Sequence, residues 1–237
     1  MSTTIRARSW TEFEEILQSY FELPGSRRSE FLFRGHGDVA WKLQPTLERF
    51  LGARGIDLAR QNTVAERLNA EFIAQAAAFL PEESVPGDPM TIELLARHFG
   101  VPSKLLDWTR SPYVAVYFAA TTGDRSADCC IHVLDREAAF GDKSLDERVQ
   151  LIELPEYSLF NARATEQDAV AIRLEDVGLK LDSALAHALS KIEIASAARN
   201  EILTRLASMR ITARTLFRSA DHAAETAMRR VEMEFSA

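Results

Sequence analysis

TIELLARHFGVPSKLLDWTRSPYVAVYFAA, residues 91–120, holds two helix ends, a turn and a tight cluster of polar side chains. Asp88 ahead of Pro89 supplies an N-cap with proline at the first helical position, and Leu94, Leu95, His98 and Phe99 then recur at helical spacing. Gly100 suits a left-handed C-cap and Pro102 prevents continuation. Ser111-Pro112 opens a second helix, and Tyr113 to Ala120 is almost wholly apolar, which predicts burial. Between the helices, Lys104-Leu105-Leu106-Asp107-Trp108-Thr109-Arg110 reads as a polar turn beside leucines that want the core. Its carboxylate, indole, hydroxyl and cations must be paired or must face a cleft.

Upstream, Ser9 to Phe21 reads as an amphipathic helix with Trp10, Phe13, Ile16, Leu17 and Tyr20 on one stripe, the N-terminal element of residues 1–25. Phe31-Leu32-Phe33 reads as a strand ending in Arg34 before Gly35-His36-Gly37, with a second strand at Val39 to Leu43. Pro45 to Arg49 opens a turn or short helix. Thr63 and Glu66 form a capping box for a helix over Val64 to Leu80, with Leu68, Phe72, Ile73, Ala76, Phe79 and Leu80 on its buried side.

Downstream, Cys129 to Asp135 reads as an interior strand, and Gln150 to Leu154 and Val170 to Leu174 as further strands. Ser183 to Leu189 is expected to be helical, Ser190 to Ile194 a half-buried strand, and Ala198 to Met209 a helix. Residues 222–237 carry a last surface helix over Ala223 to Glu234. These pieces predict a single α+β domain over residues 1–237, a small mixed sheet surrounded by helices.

The composition supports that reading. With 237 residues, 46% hydrophobic, the chain can bury a full core. A net charge of −7 argues against a surface that grips nucleic acid or anionic lipid as a whole, and leaves room for a local basic groove. Cys129 and Cys130, adjacent on a strand, point to opposite faces and read as inert buried thiols; no metal site is expected. No apolar run reaches the length of a signal peptide or a membrane span, so the expectation is a cytoplasmic protein with no membrane partner.

Several motifs together are similar to one family. FLFRGHGDVAWKLQPTLER, residues 31–49, resembles the opening pattern of the FRG domain family, and RHFGVPSKLLDWTRSPYVAVYFAA, residues 97–120, resembles its central signature. Asn161-Ala162-Arg163 with Gln167, and RNEILTRLASMRITARTLF near the end, resemble its later elements, with departures at Ala169, Ala171 and Arg218. Members of that family are associated with prokaryotic defence, including phage defence, and with toxins. A strand ending in aromatic, basic residue and glycine, followed by Tyr117-Phe118-Ala119, also looks like the start of the ADP-ribosyltransferase fold, in which the first basic residue holds NAD.

That resemblance implies roles. Arg34 would clamp a pyrophosphate or ribose, with Gly35 allowing close backbone approach. The competing role for Arg34 is a buried structural pair with Asp107. Asp107, Trp108 and Thr109 would shape the pocket, so Asp107 should lie near Arg34. Glu166 or Gln167 would stand at the reacting ribose as catalytic residues, beside Arg163. His36 reads either as a general base or as an exposed loop histidine. His98 suits a core or helix-dipole role better than catalysis. Trp41 and Trp108 are either stacking platforms or core. The implied function is an NAD-binding, ADP-ribosyltransferase-like effector with a protein or nucleic-acid acceptor. The alternatives are a non-catalytic module binding a nucleotide, nucleic acid or protein in the same cleft, and a structural partner with no small-molecule site.

Overall fold

Alternation within FLFRGH sets the architecture: Phe31 and Phe33 project into one hydrophobic core and Leu32 into another, as neighbours on a strand must. The computed structural model of the chain describes residues 3–22, 31–79, 87–141, 147–153 and 165–217, together with residues 226 and 228. Its strands are β1 (Thr4–Ala7), β2 (Phe31–His36), β3 (Leu105–Thr109), β4 (Cys129–Asp135), β5 (Val149–Glu153), β6 (Ala169–Leu174) and β7 (Leu189–Ile194). They form one seven-stranded sheet in the order β1-β7-β4-β2-β3-β6-β5. β1 runs parallel to β7, and every other neighbouring pair is antiparallel. The class is α+β as expected, with a sheet larger than the small one predicted.

The α-helices among the described residues are α1 (Trp10–Phe21), α2 (Thr46–Ala53), α3 (Gln61–Ala76), α4 (Pro89–His98), α5 (Pro112–Thr121), α6 (Arg136–Phe140), α7 (Leu181–Ala184), α8 (Arg199–Ser208) and α9 (Ala213–Phe217). One core joins α1, α5, α8 and α9 to the face carrying Phe31, Phe33, Ile131 and Ile192. The second fills the opposite face with Leu32, Leu106, Trp108, Leu134 and Ile172, under α6 and α7. Among the described residues no helix is long and apolar enough to cross a membrane.

Helix α5 is apolar almost all round because it lies between the sheet and α8, so nearly every side is covered. Its entry follows the sequence: the Ser111 side chain accepts the Val114 amide and Pro112 occupies the first turn. Replacing Ser111 with alanine should cost ~1 kcal/mol in a urea unfolding curve, the usual weight of an N-cap hydroxyl. Helix α4 likewise begins at Asp88, whose carboxylate accepts the Thr91 amide, and Gly100 follows its end at φ +89°.

Several expectations need correction. Leu105–Thr109 is a strand inside the sheet, not a turn, because it pairs with β6 along its whole length and every side chain except that of Asp107 is buried. Val39 to Leu43 forms no strand; the Asp38 carboxylate accepts the Ala40 amide at 2.8 Å and turns the chain. Thr63 does not cap α3, because the 3-10 turn Leu58–Arg60, capped by Asp57, runs directly into Gln61. Along α3, Leu68, Phe72, Ile73 and Ala76 are only half-buried and Phe79 beyond it is 85% exposed.

The helix expected over Ser183 to Leu189 is the single turn of α7, after which Leu189 enters β7. The short strand β1 was not foreseen. Leu80, Asn161, Ala162 and Arg163 lie outside the described residues, as does the expected last helix except for residues 226 and 228.

Candidate functional site

Strands β2 and β3 share one paired position, Phe33 opposite Thr109, whereas β2 is paired with β4 along all of Phe31 to His36 and β3 with β6 along all of Leu105 to Thr109. Beyond Phe33 the two strands part. A side chain takes over where the ladder stops: Arg34 Nη1 donates to the Asp107 carbonyl at 2.5 Å. A cavity of about 600 Å³ opens at the parting, within the ~300–1,000 Å³ typical of small-molecule sites.

One wall is Arg34, Gly35 and His36 of β2, continued by Trp41, Lys42 and Arg49; the other is Asp107, Thr109 and Gln167, with Val114 and Phe118 of α5 supplying an apolar side. Among the described residues the cations in this lining form no salt bridge with a carboxylate, although Asp107 acts on Arg34 and Glu48 on Lys42 from farther off. Among the described residues, the side chains of Lys42 and Arg49 form no ion pair, and Asp107, the only lining carboxylate, is taken by the guanidinium of Arg97, with Nε to Oδ1 at 2.7 Å and Nη2 on Oδ2. Within a chain of net charge −7, this is a positive cleft suited to an anionic ligand.

Arg34 is therefore not the structural ion pair with Asp107 that the sequence left open. It takes the carbonyl of Asp107, while the carboxylate, on a side chain 61% exposed, turns to Arg97. Of the five guanidinium N–H groups, one on Nε goes to His36 and one on Nη1 to Asp107, which leaves three without a protein partner among the described residues. Burial pulls the guanidinium down to about 10, partly opposed by Asp107; it remains charged at neutral pH.

His36 is no exposed loop residue. It closes β2 at 4% exposure, and its Nε2 accepts from Arg34 Nε at 3.2 Å. Burial and then Arg34 push it down to about 3, so it is uncharged, and its outward nitrogen is already occupied. Trp41 is 45% exposed and stands edge-on to His36, with an open face available for stacking. Trp108 lies in the second core at 2% exposure, and its indole Nε1 has no hydrogen-bond partner among the described residues.

The hydroxyl of Thr109 is committed: it donates to the Gln167 carbonyl at 2.6 Å and accepts from the Ser111 amide at 3.0 Å. Gln167 lines the cavity, its Nε2 donating to the Leu216 carbonyl at 3.2 Å, which leaves Oε1 for a ligand. Glu166 is exposed and is not among the lining residues. His98 is half-buried near the end of α4 and does not line the cavity.

Sequence reasoning passed over Lys42, Arg49, Arg97 and His132. Arg49 falls within the motif of residues 31–49, and period two in CCIHVLD places His132 on the same face as Cys130, opposite Arg34 across the ladder. Both cysteines are buried, and burial raises their thiols, Cys130 to about 12. Residues 29–128 match the model of the FRG domain. Over that stretch the chain is similar to the FRG domain. The match includes the whole β2 wall, Asp107, Thr109 and α5, so the cleft is built mainly from the matched stretch, with Gln167 and Ala169 added from beyond it. No curated protein and no solved structure gives a significant match to the chain.

Proposed function

We propose that the cleft binds NAD, and that the protein is an ADP-ribosyltransferase-like effector of the defence or toxin kind. The observation that carries this is the lining of Arg34, Lys42 and Arg49, cations that form no salt bridge with a carboxylate among the described residues, in a cavity of small-molecule size. A pyrophosphate matches such a set: the planar donor fork of Arg34 faces its oxygens, and Lys42 and Arg49 add charge. Trp41 offers a face to the nicotinamide or the adenine. Gln167 Oε1 would accept from a ribose hydroxyl, and Glu166, its neighbour in sequence although outside the cavity lining, would be the carboxylate for an oxocarbenium-like transfer step to a protein or nucleic-acid acceptor.

A second reading is a non-catalytic nucleotide-binding module. It is favoured by one feature: no carboxylate lining the cavity among the described residues is free to stabilise or activate a reacting group. Calorimetry with NAD and an assay of released nicotinamide separate the two. Arg34→Ala should weaken NAD binding at least about tenfold, equivalent to ~1.4 kcal/mol. Binding with nicotinamide release supports transfer, and binding without release assigns the non-catalytic module. Absence of binding at roughly millimolar NAD, a free energy of about −4 kcal/mol, would overturn the NAD reading.

A further inference from the structure

Below the cleft floor, the side chains of Arg34 and His36 on β2 share a face with Cys130 and His132 on β4 and with Lys191 and Glu193 on β7, joined by the registers Arg34–His132–Lys191 and His36–Cys130–Glu193. His36 Nε2 lies 3.2 Å from Arg34 Nε, His36 Nδ1 lies 3.3 Å from His132 Nε2, and Cys130 Sγ lies 3.9 Å from that same His132 nitrogen. His132 Nδ1 is buried without a hydrogen-bond partner among the described residues.

The direction of this chain is fixed at one end. A guanidinium only donates, so His36 Nε2 must carry a lone pair and its proton must sit on Nδ1. That Nδ1–H donates to His132 Nε2, which places the second proton on His132 Nδ1, the orphaned atom. We propose that His36 and His132 are positioning residues for Arg34, a two-imidazole ladder that holds Nε inward and leaves the remaining N–H groups turned to the cleft. The consequence for ligand binding rests on the reading of the cleft as an anion site; the ladder itself does not.

The neighbouring charges agree. Burial first, then Arg34, with smaller effects of Arg49 and Lys191, holds His36 uncharged against the opposing Trp41 backbone; burial first, then His36, Arg34 and Lys191, holds His132 uncharged, and Lys191 is tied to Glu193 at 2.8 Å. The same three side chains, His36, Cys130 and His132, bring ligand atoms within 4.8 Å of one another, a spacing that also suits a metal ion. A metal on His36 Nδ1 would leave the proton on Nε2, donor facing donor against Arg34, and a metal on Nε2 would displace Arg34 outright. The hydrogen-bonded ladder accounts for both imidazoles without that conflict.

Nitrogen-15 spectra of the imidazoles in the full chain test the proposal directly. Both rings should be neutral Nδ1–H tautomers at neutral pH, assigned through His36→Gln and His132→Gln. His132→Leu should release His36 to the Nε2–H form and weaken inorganic pyrophosphate binding about tenfold, the weight of one hydrogen bond to a charged group. His132→Gln, whose amide oxygen can still accept from His36 Nδ1–H, should restore most of the affinity.

An Nε2–H or charged His36 in the wild type would overturn the ladder, as would zinc binding that shifts these resonances. If the wild type ignores pyrophosphate, the anion-site reading fails while the tautomers still decide the ladder. If the wild type binds pyrophosphate and His132→Leu binds it equally well, the positioning role fails.

Discussion

Gly35→Ala should leave little folded protein. A Cβ at this position would lie 2.0 Å from the Ala115 carbonyl oxygen and 2.7 Å from the Ala119 amide nitrogen, both backbone atoms of α5. Flexible side chains can swing away from an intruding methyl, but a helix backbone cannot, and α5 is itself held between the sheet and α8. Relief requires lifting α5 off β2 and opening the first core, at a cost of at least ~3 kcal/mol, the upper end for overpacking. That is a large share of the ~5–15 kcal/mol by which domains are stable. Gly52→Ala is the matched control: nothing lies within 4 Å of its added methyl, on α2, so stability should hold or rise slightly. Urea midpoints for the two variants check both statements, and an unchanged midpoint for Gly35→Ala would contradict the close approach of helix to strand.

The second large effect is on pH. The folded protein keeps His36 and His132 uncharged, His36 down to about 3 and His132 well below its ordinary range, through burial first and then neighbouring groups that include Arg34 and Lys191. The unfolded chain protonates both near their ordinary pKa of about 6.5. Below that pH the unfolded state binds protons that the native state refuses, so stability is whole above it and falls as pH drops toward the folded-state values. The slope approaches ~1.4 kcal/mol per pH unit for each histidine. Denaturant unfolding between about pH 7 and pH 5 should show this loss in the wild type and much less of it in a His36→Gln, His132→Gln double variant, which has no such protons to bind. Equal slopes in the two proteins would mean that these imidazoles are charged in the fold.

Much of this arrangement was legible because local chemistry specified it. Asp88-Pro89, Gly100 and Ser111-Pro112 each act within one turn of chain, and each does in the structure what its residue type dictates. The unbroken apolar run of Cys129 to Asp135 likewise gave an interior strand. What escaped depended on partners distant in sequence. β1 exists by pairing with β7, whose residues lie nearly two hundred positions away. LLDWT looked like a turn because a strand covered on both faces loses its alternation, and Asp107 interrupts it only to reach Arg97.

The site was half visible on the same grounds. The motif pointed to Arg34, but His36, read as a general base or an exposed loop histidine, proved to be the buried last residue of β2 on the same face. The cations Lys42 and Arg49 gain their meaning only from the parting of β2 and β3, a tertiary event with no local mark. Phe79 shows the opposite failure, an aromatic assigned to a buried face that the fold leaves 85% exposed.

The near-absence of pairing between β2 and β3 reaches beyond ligand binding. The matched region ends at Asp128, one residue before β4 begins. A fragment cut at those limits would keep β2 and β3 but lose β4 and β6, the strands that carry nearly all of their ladder contacts, leaving a single residue pair between them. It would also lose Arg199, 1% exposed, whose guanidinium binds the carbonyls of Gly37 and Thr122 and so fastens the loop after β2 to the end of α5. The stretch by which this domain is recognised is thus shorter than the length of chain needed to hold its shape, and any excised version must extend at least through α8.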